Sequence, residues 1–94
     1  MTPPPDVRLV QLTRMLGLEP PMATDAEART AVAAQPTEFA FALFLEAADS
    51  DDVTSVESAL DYLEGRLSFF GAMVTSETAD AVRAAFRARL KAWA

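Results

Sequence analysis

The chain has 94 residues, 51% of them hydrophobic and 23% charged, carries a net charge of −6, and contains neither cysteine nor histidine. This composition is far from that of disordered segments, and the length suits a single domain, 1–94, built on one core. The missing side chains exclude disulfides, thiol nucleophiles, imidazole bases and soft-metal sites, so packing alone must hold the fold and no cofactor is expected.

The lead MTPPPD has neither the basic nor the apolar part of a secretory leader, and no apolar run approaches the ~20 residues of a membrane span. A cytoplasmic protein with no membrane partner is therefore expected. After the proline-rich segment 1–5, Asp6 is placed to cap a first helix, whose apolar face is Val7, Leu9, Val10, Leu12, Met15 and Leu16. Gly17 and Leu18 fit a C′ glycine and its hydrophobic contact, and Pro20 and Pro21 forbid continuation. Thr24 and Glu27 have capping-box spacing and open an Ala-rich helix to about Ala34. Its apolar face is mostly methyl groups, so it must pack weakly or lie very close to a neighbour.

Pro36 suits the first turn of a third helix over 37–48, TEFAFALFLEAA. Phe39, Phe41, Leu43 and Leu45 alternate as they would on a strand, but no second strand-like run exists to pair with, and the alanines favour a helix. As a helix it is apolar nearly all the way round, the mark of burial on more than one side. Its last side is covered either by residues 7–18 or by another molecule.

The acidic run Asp49, Ser50, Asp51, Asp52 precedes the strongest periodicity in the chain, Val53, Val56, Leu60, Leu63, Leu67 and Phe70. A helix over about 52–71 is predicted, capped by Asp52 or Thr54, with Thr54 and Glu57 as a capping box and Gly71 as its stop. Thr75 or Ser76 caps a final helix over 76–93, with Ala79, Val82, Phe86, Leu90 and Trp93 on one face. In an antiparallel hairpin, residues equidistant from the loop face one another. Phe70 then meets Ala79, Leu67 meets Val82, Leu63 meets Phe86, Leu60 meets Leu90 and Val56 meets Trp93. An acidic stripe, Glu57, Asp61 and Glu64, faces a basic one, Arg83, Arg87 and Lys91, in the same register: Glu64 with Arg83, Asp61 with Arg87, Glu57 with Lys91. The fold class is thus all-α, a small five-helix bundle ending in a long antiparallel hairpin.

Few chemical constellations survive. Asp49 and Asp51 match the opening of a calcium loop, but Val53, Thr54 and Leu60 stand where a third oxygen ligand, a glycine and a bidentate Glu are needed, so helix capping is the expectation. The three glycines are isolated and build no phosphate cradle. Residues 1–74 hold four basic and twelve acidic groups, whereas 75–94 hold four basic and two acidic. The acidic body disfavours direct nucleic-acid binding, and three of the four bases oppose the acidic stripe, leaving Arg89 at the core edge with its stem over Phe86 and Trp93.

The aromatic content exceeds the needs of one hairpin. Phe41, Phe44, Tyr62, Phe69 and Met73 lie off the main seam, as core filling or as a surface for a protein partner or a second copy. The functional expectation is a non-catalytic interaction module, an adaptor or regulator, with no small-molecule substrate evident. The alternative is a nucleic-acid-related regulator, acting through the basic final helix or as an acidic DNA mimic.

Overall fold

A computed structural model describes residues 6–18 and 24–93, Trp93 by its backbone alone. The proline-rich lead and the stop at Pro20 and Pro21 lie outside the described residues. Five α-helices follow in order: α1 Val7–Met15, α2 Asp25–Ala34, α3 Pro36–Ala48, α4 Val56–Phe70 and α5 Ser76–Trp93, with a 3-10 turn at Gly71–Met73 between the last two. The fold is all-α, as the apolar periodicities require.

Local chemistry sets most boundaries. The Arg8 amide donates to Asp6 Oδ1 at 2.8 Å, satisfying one of the free donors at the start of α1. At its other end Gly17 takes φ 67, so that Leu18 N–H reaches Thr13 O and Gly17 N–H reaches Arg14 O, a Schellman closure. Thr24 caps α2 by accepting from the Glu27 amide, and Pro36 occupies the first turn of α3. Thr75 caps α5, accepting from the Thr78 amide at 3.2 Å.

The start of α4 differs from expectation. The cap is Ser55, which accepts from the Ser58 amide at 3.1 Å, and Ser58 Oγ accepts in return from the amides of Ser55 and Thr54. One short hydroxyl thereby satisfies two orphan donors, which Glu57 on the next position does not do. The helix consequently begins at Val56 rather than near 52, and Val53 joins the core from the preceding turn.

Helix α3 is central. Its Phe39 ring meets Phe70 edge to face at 5.4 Å near the end of α4, while Glu46, at its other end, faces Arg66, so α3 and α4 run antiparallel. Phe44 meets Phe86 of α5 edge to face at 6.0 Å, and Pro36 lies beside Thr78 and Ala81, so α3 and α5 run in the same direction. The most extensive helix-to-helix contact among the described residues is between α3 and α5. Phe39, Phe70, Phe86, Leu12, Leu43, Leu63 and Val82 are fully buried at the centre. The Ala-rich α2 packs closely on the 3-10 turn, burying Ala28 and Val32, and Arg29 Nε donates to Ala72 O at 3.1 Å.

Candidate functional site

The structure places the five side chains of the candidate partner surface in three different settings. Met73 is 0% exposed: it sits in the 3-10 turn rather than on the flank of α4, and it belongs to the core. Phe44 is half-buried against Phe86. Phe41 is half-buried beneath the Arg89 guanidinium, whose carbon lies 4.3 Å from the ring centroid, a cation–π contact. The Arg89 guanidinium is thus directed to Phe41 of α3.

Tyr62 and Phe69 share the opposite edge of α4 with Arg66. The Arg66 guanidinium stacks over Phe69 and Phe70 at 4.9 and 5.1 Å, donates to Gln11 Oε1 at 2.7 Å and lies 3.5 Å from Glu46. It therefore ties α1, α3 and α4 together, and Phe69, 38% exposed, forms the outer wall of that junction. Burial, with the nearby Glu46 carboxylate, pushes the Tyr62 hydroxyl above its ordinary range; Arg66 opposes the shift.

The charged stripes are brought together at one end only. Arg83 forks onto Glu64, Nε to Oε2 at 2.8 Å and Nη2 to Oε1 at 2.9 Å, and its Nη1 also reaches Asp80 at 2.9 Å. The Arg83 hydrogen bond holds the Glu64 carboxyl below the usual carboxylate range, reinforced by the charges of Arg83 and Arg87, and Glu64 in turn raises the affinity of Arg83 for its proton. Farther from the loop the pairing stops. Among the described residues no ion pair within 4 Å joins Asp61 to Arg87 or Glu57 to Lys91.

Between those unpaired charges the seam opens. Val56 and Leu60 of α4 and Leu90, Arg87 and Lys91 of α5 line an outward-facing groove of about 330 Å³. Its floor is apolar and its α5 rim is basic. Val56 is 45% exposed, Leu60 half-buried, and Leu90 buried at the bottom. Val56 was expected to meet Trp93, whose side chain lies outside the described residues. The sequence pattern placed Val56, Leu60 and Leu90 in a closed seam, and only the position of α3 reveals that they line an open one.

A second exposed patch lies on α3. Leu45 is 51% exposed and shares a shallow hollow with Ala42, Glu46, Ala48 and Asp49. The last side of this helix is therefore not covered by residues 7–18. Asp49, Asp51 and Asp52 sit beside it in a turn organised by backbone bonds, among them Asp49 N–H to Leu45 O and Val53 N–H to Ser50 O. Among the described residues no three carboxylates converge to hold a metal ion, and no helix is long and apolar enough to cross a membrane. Compared with known proteins, the chain matches no family model, no curated protein and no solved structure.

Proposed function

We propose that the protein is a non-catalytic interaction module that binds another polypeptide through the groove between α4 and α5. The observation that carries this reading is the groove itself: an apolar floor of Val56, Leu60 and Leu90 left open to solvent beside Arg87 and Lys91, neither of which forms an ion pair within 4 Å among the described residues. Apolar surface in a concave, charge-rimmed setting gains free energy when an apolar side chain enters, roughly 25 cal/mol for each Å² removed from water. The residue inventory supports the non-catalytic part, since the chain has neither histidine nor cysteine to serve as base or nucleophile. The DNA-mimic alternative is less well supported, because Glu64 is neutralised by Arg83 and the remaining stripe of Glu57 and Asp61 lies across from Arg87 and Lys91.

The test is a photo-cross-linking residue placed at Val56 and, as a control, at the exposed Thr30 of α2. Irradiation in native extract and of the purified chain is expected to give a discrete protein adduct from position 56 that position 30 does not give. Absence of such an adduct from both preparations overturns the reading.

A further inference from the structure

The two rims of the groove between α4 and α5 carry opposite charges. Glu57, Asp61 and Glu64 recur at i, i+4 and i+7 and so share one edge of α4, and the bond from Arg83 to Glu64 shows that this edge faces α5. Arg83, Arg87 and Lys91 share one edge of α5 in the same way, and it faces α4. Glu57, Asp61, Arg87 and Lys91 are exposed, and none of them forms an ion pair within 4 Å among the described residues, although the charge of Arg87 acts on Glu64. Between the rims lies the apolar floor of Val56, Leu60 and Leu90.

Rims of opposite sign on either side of an apolar floor narrow the choice of occupant. A segment of a single sign is attracted at one rim and repelled at the other, which disfavours nucleic acid and purely basic or purely acidic polypeptides. An extended strand finds no sheet edge here, because both walls are helices whose backbone groups bond internally. A helix satisfies its own backbone, turns an apolar stripe to the floor and carries polar residues along both flanks of that stripe. Laid on the antiparallel pair α4 and α5, it completes a three-helix arrangement.

Resting on the reading that the groove binds polypeptide, we propose that its occupant is an amphipathic helix of a partner protein, with basic residues on the flank facing α4 and acidic residues on the flank facing α5. Val56 and Leu60 are one turn apart, so the floor takes the apolar residues of about two turns of that helix. Turning such a helix end for end exchanges its flanks and sets like charge against like at both rims. The groove thereby selects the chain direction of its partner as well as its apolar face, as flanking charges do in paired helices.

The probes are synthetic helical peptides of about 18 residues, roughly five turns, that share one leucine stripe. One has lysine on one flank and glutamate on the other, a second has the two flanks exchanged, and a third has lysine on both; each carries a nitroxide at its N-terminus. Titrated into the isotope-labelled chain, the label broadens the amide signals at whichever end of the groove it meets. The two mixed peptides are expected to bind in opposite directions, one label near Thr54 and the other near Glu64, and the lysine-only peptide is expected to occupy the groove about tenfold more weakly. In a variant carrying Glu57→Lys, Asp61→Lys, Arg87→Glu and Lys91→Glu, all at exposed positions, both directions are expected to reverse. Mixed peptides that bind in the same direction, a lysine-only peptide that binds the groove as tightly, or no peptide that shifts the groove amides overturns the proposal. Groove amides that shift with the concentration of the chain alone also overturn it, since a second copy is then the occupant. In each of these cases an adduct from position 56 leaves the functional reading standing.

Discussion

The two ends of the α4–α5 seam carry the same kind of sequence and reach different structures. Near the loop, Leu67 and Ala79 are buried and Arg83 clamps Glu64 at 2.8 Å beside a hollow of about 270 Å³, so the ion pair bridges the seam there. At the far end the repeat continues through Leu60, Val56 and Leu90, and the charges continue through Asp61, Glu57, Arg87 and Lys91, yet a groove separates them. The covalent link through Gly71–Met73 holds the first pair of ends together. Beyond its reach α5 follows α3, with which it makes its most extensive contact and where Phe44 meets Phe86. A helix with apolar residues on more than one side has more than one suitor, and the larger aromatic contact wins over an extended ladder of exposed ion pairs.

The largest expected difference between the ends comes from placing a charge in each. Leu67→Asp puts an unpaired carboxylate in a buried position and is expected to cost about 3–5 kcal/mol, enough to remove the cooperative melting of a marginally stable domain. Val56→Asp, at 45% exposure, is expected to change stability by less than about 1 kcal/mol. Urea unfolding followed by circular dichroism measures both, at concentrations low enough to keep the chain dilute. Similar losses for the two variants would mean that the seam is closed along its whole length.

Glycine provides a second pair. Gly71 ends α4 with φ 55 and ψ −125, and a Cβ there would meet nothing closer than Arg8 Nη1 at 3.8 Å, so the backbone conformation and not crowding opposes substitution. Gly71→Ala is expected to destabilise by about 1–3 kcal/mol. Gly65 lies within α4 with open space around its missing side chain. Gly65→Ala is expected to stabilise by about 0.5–1 kcal/mol. The same unfolding measurement gives both signs, and a stabilising Gly71→Ala would mean that the link does not hold the ends of α4 and α5 together.

How much of this was legible in the sequence follows from the range of each interaction. Caps at Asp6, Thr24 and Thr75, the proline at the head of α3 and the glycine after α1 are local, and each appears where its residue type predicts. At the start of α4 the Thr54–Glu57 spacing points to a cap one residue early; Ser55 and Ser58 form it instead, because the short Ser58 side chain reaches both backbone donors. Glu64 with Arg83 was legible because the loop limits where the two can go. The groove was not, because its opening depends on α5 choosing α3, and the residues of α5 that face α3 carry the same apolar pattern as those that face α4. Leu45 was hidden for a related reason: a helix apolar all round predicts burial all round, and nothing in its own sequence says which side a short chain lacks the material to cover.

The smallest effect separates the two ends most directly. In a double-mutant cycle, Glu64→Ala and Arg83→Ala are expected to show a coupling of about 0.2–1 kcal/mol, the range of an exposed bidentate pair, while Asp61→Ala and Arg87→Ala show none that can be resolved. Acid then tests whether the first coupling is electrostatic. Because the Arg83 hydrogen bond lowers the Glu64 carboxyl in the native state, the unfolded chain takes up the proton first as pH falls. The stabilisation is thus fully present above the unfolded value, about 4.3, and is lost as pH drops through the native value. Repeating the cycle at stepwise lower pH should show the Glu64–Arg83 coupling fall and vanish once the native carboxyl is protonated at the acid end of the series. If it persisted there, the contact would owe its strength to the packed stem of Arg83, and the loop end would be closed by apolar contact alone.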